Sequence, residues 1–202
     1  MDLSIIVPCH NLEPYITPLI NSLNKQLFTY SVEIIFVCDG CKDNTYAVID
    51  NTIDKEKFKV SIFEINFLSP GAARNHGLNR ATGDYIWFVD GDDWILECYA
   101  IQTLLHTIIY NQYPVLKFEY ESEKFTVQID CMVWQYIYKH SFIKGMGFIG
   151  WQNNEDVKWT KEIKWKLQKD PMPTIPVAFY YYNYGRPNSN TTQLREKGRV
   201  DP

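Results

Sequence analysis

Three carboxylates fall within four residues at Asp90-Gly91-Asp92-Asp93. Side by side in a bare loop they repel one another, and a divalent cation among them removes that repulsion. Oxygen-only ligands suit Mg²⁺ or Mn²⁺, ions that keep open positions for substrate phosphates. The plain alternative is a solvated acidic turn in which Asp92 or Asp93 caps a helix. Upstream, Arg74-Asn75 lies between Gly71 and Gly77. A guanidinium near the start of a short helix can fork onto a phosphate, or lie on the surface. Glu155-Asp156 follows Trp151-Gln152-Asn153-Asn154. An acidic pair in an aromatic setting can supply a general base; two acids in a first helical turn are also favoured by the macrodipole alone. His10 can stack on a planar base or simply pack. Cys38 and Cys41 form a C-x-x-C, on its face a redox pattern. No further ligands follow at zinc spacing, and small residues in a tight loop are the plainer reading.

The elements that must position these groups read as alternating strands and helices. Residues 3–7 are a short apolar, β-branched run stopped by Pro8, hence a buried strand. Residues 14–26 carry Tyr15, Ile16, Leu19, Ile20 and Leu23 at helical spacing. A second apolar run over 33–38 ends at the turn signal Asp39-Gly40. A helix is expected over 43–53, capped by Asp43, then a strand over 59–66 and a short helix over 71–81. An apolar strand over 85–89 leads into Asp90. Such alternation predicts an α/β fold with a mostly parallel sheet. Ligands of such sheets bind beyond the carboxyl ends of the strands. Cys9-His10-Asn11, Asp39-Gly40 and residues 90–93 are therefore expected along one edge. Beyond residue 95 a helix is expected over 96–110, extended segments or a hairpin over 113–129, and an extended stretch over 171–176. The polar residues 196–202 read as a mobile tail.

Composition narrows the class. The 202 residues are 46% hydrophobic and 15% aromatic, enough for a core without staples and inconsistent with a disordered or repetitive chain. One domain is expected over residues 1–202, with a first half over 1–95 and a second over 96–202. The formal net charge of -4 argues against a nucleic-acid partner gripped through its phosphates. Five cysteines at wide spacing do not form a disulfide framework. An acid at position 2 and the absence of a long apolar run point to a cytoplasmic chain. Lys158, Lys161, Lys164, Lys166 and Lys169, interleaved with Trp159, Ile163, Trp165 and Leu167, form either a solvated helix or a peripheral contact with the inner face of a membrane.

Four segments in order, residues 4–13, 37–45, 71–77 and 81–94, resemble family-2 glycosyltransferases of the GT-A fold. The resemblance runs over residues 3–95 and continues more weakly through Glu155-Asp156 to residues 186–189. It implies a GT-A-like, Rossmann-like sheet flanked by helices, with a smaller mixed acceptor-side portion. It also implies inverting transfer from a nucleotide-sugar donor, with uridine diphosphate the commonest carrier, to a glycan or lipid-linked glycan. By the same resemblance His10 stacks on the base, Asp39 meets its edge and Glu13 lies near the nucleoside. Pro8, Asn11, Arg74 and Gly91 line the donor. Asp90 and Asp92 hold Mn²⁺ or Mg²⁺, with Asp90 also near the ribose. Asp156, paired with Glu155, is the base, and Arg186 and Ser189 belong to a late phosphate-side motif. The pattern is broken in three places: Cys38 replaces an acid, Cys41 a serine, and the pair Asn183-Tyr184 stands where Tyr-Arg is usual. Cys38 and the altered late motif motivate a second reading, a non-catalytic nucleotide- or glycan-binding relic of the fold. A third, a thiol redox protein, rests on Cys38 and Cys41 alone.

Overall fold

The structure, a computed structural model, describes residues 1–123, 132–149, 155–168, 172–185 and 187. The first half is a parallel sheet. Strand β1 (Leu3–Cys9) lies between β2 (Val32–Asp39) and β4 (Tyr85–Phe88), and β3 (Lys59–Ile65) pairs with the outer side of β2. β2 is buried along its whole length and β1 at all but Pro8. Near-continuous apolar runs suit this position, because both faces of a central parallel strand are covered.

Period-two alternation sends neighbouring side chains to opposite faces. Ile5, Val7, Phe36 and Trp87 join one buried cluster with helices α1 (Thr17–Asn24) and α4 (Ala100–Tyr110). Ile6, Ile86 and Phe88 join a second with Tyr136, Tyr138, Phe148 and Trp159. α4 buries Ala100, Ile101, Leu104, Leu105 and Ile108, one stripe at helical spacing.

The second half continues the same sheet. Among the described residues the strand order is β3-β2-β1-β4-β7-β6-β8-β5. β7 (Tyr136–Lys139) runs antiparallel to β4 and to β6 (Val115–Glu121). β8 (Thr174–Tyr181) runs parallel to β6, and β5 (Trp94–Ile95) closes antiparallel on β8. The chain thus has a parallel half and a mixed half. Strand order reverses around β1, with β2 to one side and β4 to the other, and that is where open α/β sheets place ligands.

Several elements differ from the sequence expectation. α1 begins only at Thr17, because residues 12–16 form a turn in which Tyr15 and Ile16 N–H groups bond to the Leu12 carbonyl. α2 (Thr45–Thr52) takes Asn44 as its first flanking residue, while Asp43 accepts the Thr45 N–H at 3.1 Å. α3 (Pro70–Leu78) is capped by Ser69, whose hydroxyl accepts from Ala72 N–H. Residues 94–95, just ahead of the expected helix over 96–110, form β5, and α4 starts at Ala100. β6 is the extended segment expected within 113–129, and it takes its antiparallel partner, β7, from residues 136–139; residues 124–129 of that expectation lie outside the described residues. The expected extended stretch over 171–176 extends as β8 to Tyr181.

Candidate active site

The carboxyl ends of β1 and β2 carry the first cluster. His10 leaves β1 and Asp39 ends β2, and Nδ1 of His10 lies 2.6 Å from the Asp39 carbonyl. A carbonyl only accepts, so the proton sits on Nδ1, and Nε2 accepts from the Asn11 side-chain amide at 3.0 Å. Both ring nitrogens are therefore held while the ring stays exposed. Asn11 has φ +50, a left-handed turn that asparagine tolerates. Its Oδ1 accepts the Lys42 N–H, and the Glu13 carboxylate holds the Asn44 backbone and side-chain amides. These bonds hold the Glu13 carboxyl below its usual range, the side-chain amide contributing most. Pro8 lies opposite Val37 in the parallel register.

Asp39 has a further task. Its carboxylate accepts backbone N–H bonds from Phe67, Leu68 and Ser69 at 2.6, 2.8 and 2.7 Å, and it is buried. It therefore fixes the β3–α3 loop, with most of its lone pairs already taken.

The second cluster surrounds residues 90–93. Gly91 is buried, and a Cβ there would stand 2.5 Å from Leu12 Cδ1 and 3.3 Å from the Pro8 carbonyl, so packing alone demands glycine. Asp93 turns inward. Its two oxygens accept from the Tyr180 hydroxyl at 2.7 Å and the Asn183 N–H at 2.8 Å. Burial, then the neighbouring Asp92 and Asp90, push its carboxyl well above the ordinary range. The third acid of the motif is thus a buried brace. Asp90 and Asp92 remain partly exposed at the sheet edge.

Arg74 joins this loop to the acidic pair. α3 carries it on its inner side, where it is buried. Nη2 bonds Asp90 Oδ1 at 2.8 Å, Nη1 bonds Glu155 Oε1 at 3.2 Å, and Nη1 lies 3.3 Å from Asp156 Oδ1. The guanidinium also packs 5.5 Å from the Phe148 ring centre. The expectation of a phosphate-facing arginine is corrected here: the guanidinium faces three carboxylates. Gly71 leaves room for Phe148 and Glu155 beside it. Glu155 and Asp156 open helix α5 (Glu155–Lys166). Burial is the largest influence on Asp156 and raises its carboxyl to about 7, with Arg74 pulling down and Asp90 and Glu155 pushing up.

The structure thus brings Arg74, Asp90, Glu155 and Asp156 into one ionic group, and His10, Asn11, Glu13 and Asp39 into another. Arg186 and Ser189 lie outside the described residues. Sequence reasoning missed Tyr180, Asn183 and Phe148; the run of tyrosines over 180–184 signals packing and nothing more specific. Cys38 is buried and Cys41 half-buried. The Cys41 thiol lowers that of Cys38, but Cys9 and burial outweigh it and push it up; Cys41 is pushed up by its bond to Cys38 and by burial. Working redox pairs have accessible thiols of depressed pKa; the burial of Cys38 and the upward push on both thiols disfavour the redox reading.

Two partly exposed carboxylates, with no three-ligand cluster among the described residues, fit a hard divalent ion that completes its shell with substrate phosphates and water. They do not form a closed structural cage.

Glycosyl transferase family 2 matches residues 4–157. The chain belongs to this family. The relatives include the poly(ribitol-phosphate) beta-N-acetylglucosaminyltransferase TarS of Staphylococcus aureus, 43% identical over 96 residues, covering 47% of this chain and 17% of that protein. The glycosyltransferase GlyA of Streptococcus pneumoniae is 32% identical over 120 residues, covering 59% of this chain and 17% of its own length. The chain therefore spans a minor part of these relatives. Among solved structures, S. aureus TarS 1-349 in complex with UDP superposes with a TM-score of 0.79 at 25% identity, over 91% of this chain and 60% of that one. The mannosyltransferase PcManGT from Pyrobaculum calidifontis, in complex with GDP-Man and Mn²⁺, shares the fold, with a TM-score of 0.69 at 14% identity, over 96% of this chain and 60% of that one. This family-2 chain has the α/β fold of the GT-A type.

Proposed function

We propose that this family-2 chain transfers a sugar from a nucleotide-diphosphate-sugar donor, with uridine diphosphate as carrier, to a hydroxyl of a glycan or lipid-linked glycan, inverting the anomeric centre. The observation that carries the reading is the Arg74 bridge, which ties Asp90 of the donor loop to Asp156, a half-buried carboxylate raised to about 7. A base titrating near the working pH is well matched to proton removal from a hydroxyl.

In this reading the exposed ring of His10 stacks on the base, and Pro8, Asn11 and Glu13 shape the nucleoside side. Asp39 acts through the loop it pins. Asp90 and Asp92 hold Mn²⁺ or Mg²⁺, which when bound neutralises diphosphate charge. Gly91 lets that loop lie close under the donor. Asp156 takes the acceptor proton as the acceptor oxygen bonds to the anomeric carbon. The bond to the diphosphate breaks with its electron pair leaving on the nucleotide. Attack from the face opposite the leaving group inverts the centre. Glu155 and Arg74 hold Asp156 in place, and Arg186 and Ser189 serve the phosphate side. That TarS, a relative of this chain, was solved with UDP supports the choice of carrier.

The acceptor half, residues 96–202, includes α5. The outer face of this helix exposes Lys158, Lys161, Lys164 and Trp165, the last at 76%. This face suits a contact with the anionic inner surface of a membrane bearing the acceptor. Among the described residues no helix is long and apolar enough to cross a membrane. A role in surface-polysaccharide synthesis at the cytoplasmic face fits these features.

Calorimetric titration of uridine diphosphate, with Mn²⁺ and then with chelator, on the wild type and Asp92→Ala tests the reading. Metal-dependent binding lost in the variant supports it and justifies a donor-sugar screen. Binding without turnover on any donor would favour the binding-module reading that Cys38 and the altered late motif motivate. Metal-dependent binding unchanged in Asp92→Ala would sink the proposed cation site.

A further inference from the structure

The Asp90–Asp93 loop is braced from a strand more than eighty residues away in sequence. β5 begins immediately after Asp93 and pairs with β8, Trp94 opposite Tyr181 and Ile95 opposite Tyr180. The Tyr180 hydroxyl accepts the Asp90 N–H at 3.0 Å and donates to Asp93 Oδ2 at 2.7 Å. One oxygen thus touches both ends of the four-residue motif. Asn183 completes the brace: its N–H donates to Asp93 Oδ1 at 2.8 Å and its side-chain amide to the Asp92 carbonyl at 3.1 Å.

The hydroxyl cannot wander. The Tyr180 ring stacks on Trp134, centroids 4.4 Å apart and planes within 6°. The Trp134 carbonyl is held in turn by Trp87 Nε1–H at 2.9 Å, from within β4. The core therefore sets the position of an oxygen that sets the loop. A loop holding partly exposed acids at fixed spacing gains from such preorganisation, because scattered carboxylates would bind a cation and a diphosphate more weakly.

We infer that Tyr180 and Asn183 are positioning residues for the donor site, holding Asp90 and Asp92 in the arrangement that receives a nucleoside diphosphate with its divalent cation. This rests on the donor-site reading above and deepens it: cation affinity is set partly from β8, outside the motif itself. It also gives Asp93 a role, that of the buried anchor through which β8 grips the loop. Tyr180 lies only six residues before Arg186, so the segment that grips the cation loop leads directly into the late phosphate-side motif.

The test compares wild type, Tyr180→Phe and Asn183→Ala by calorimetric binding of uridine diphosphate, with Mn²⁺ and with chelator. Mn²⁺ binding is followed separately by its paramagnetic resonance signal. Losing a hydrogen bond to a charged group is worth about tenfold in affinity or more. The expected result is a Mn²⁺-dependent affinity about tenfold weaker in Tyr180→Phe, recovered at high Mn²⁺, with chelator-state binding unchanged. Asn183→Ala, half-buried and outside the core, should show a smaller loss of the same kind. A purely structural role would lower the binding-competent fraction without changing the affinity or its Mn²⁺ dependence. If Tyr180→Phe does not fold, Asn183→Ala decides. Variants that match a metal-dependent wild type within about twofold overturn the inference alone. A wild type without metal-dependent binding overturns the donor-site reading and this inference with it.

Discussion

Nη1 of Arg74 stands 3.3 Å from Oδ1 of Asp156, while Nη2 of the same guanidinium bonds Asp90 at 2.8 Å. One buried cation is thus shared between the loop after β4 and the first turn of α5. The short helix α3 places it there, and α3 sits close to the sheet because Gly77 packs on Ile6, where a Cβ would come within 2.4 Å of a methyl group. The two sides of the proposed reaction centre are coupled through a single side chain.

That coupling fixes a pH dependence. Burial, the largest influence, raises the Asp156 carboxyl to about 7, opposed by Arg74 and reinforced by Asp90 and Glu155. The Tyr138 phenol also lies close enough to feel this charge. A base must be deprotonated to accept the acceptor proton. The rate of sugar transfer is therefore expected to climb through an acid limb centred near 7 and level off above it. Asp156→Asn should lower kcat by about 10²–10⁴-fold and leave uridine diphosphate affinity nearly unchanged. Nucleotide release measured across pH checks both. A limb near the ordinary aspartate range would remove Asp156 from the role.

Arg74→Gln makes a sharper demand. Arg74 lowers the Asp156 pKa, so its loss moves the acid limb to higher pH. The variant also leaves three carboxylates without their shared cation, which costs about 3–5 kcal/mol for a broken buried pair. The sign of the linked stability follows. With the folded-state Asp156 pKa raised above its unfolded value, the folded chain binds more protons in the window between them. Stability of the variant therefore recovers as pH falls from the raised value toward the unfolded range. Urea unfolding at neutral and mildly acidic pH reads this directly; a deficit that grows on acidification contradicts the shared-cation account.

Much of this arrangement was legible in the chain. The apolar runs that end at Cys9, Asp39 and Val89 place His10, Asp39 and Asp90 along one sheet edge, because parallel strands share a direction. The partners of those residues were less legible. Arg74 reads as a phosphate ligand or as a surface residue, since helical spacing does not reveal that Glu155 and Asp156, about eighty residues later, close over it. Asp93 reads as one of three acids near a cation or as a helix cap, until β8 arrives with Tyr180 and Asn183. Both misreadings concern contacts between distant segments, which local patterning does not encode. β5 was hidden for the same reason: two residues become a strand only because Tyr180 and Tyr181 lie alongside.

The α5 surface carries its own expectation. Lys158, Lys161 and Lys164 share the exposed face with Trp165, and basic side chains contribute about 1 kcal/mol each near an anionic lipid surface. Lys158→Glu with Lys161→Glu should lower co-sedimentation with phosphatidylglycerol vesicles by more than tenfold at low salt, and leave uridine diphosphate binding intact. Neutral phosphatidylcholine vesicles should bind neither protein. Equal binding of wild type and variant to anionic vesicles would make this face a solvated helix surface.

The cysteines provide a check on the nucleotide-side loop. Among the described residues Cys9, Cys38, Cys41 and Cys98 are free thiols, and only Cys98 is exposed. Cys41 Sγ donates to the Cys9 carbonyl at 3.6 Å, a contact that helps close the turn around Gly40. Thiolates are the reactive species, so thiols with raised pKa values alkylate slowly. Limited alkylation of the native protein followed by mass spectrometry should mark Cys98 well before Cys38 or Cys41, with Cys38 modified only after unfolding. The double variant Cys38→Ser, Cys41→Ser should retain uridine diphosphate affinity within about twofold, since neither thiol faces a charge it must stabilise. Rapid native labelling of Cys38, or a dithiol-dependent change in nucleotide binding, would revive a redox role for this loop. Slow labelling would leave the pair as packing inside a nucleotide-binding turn.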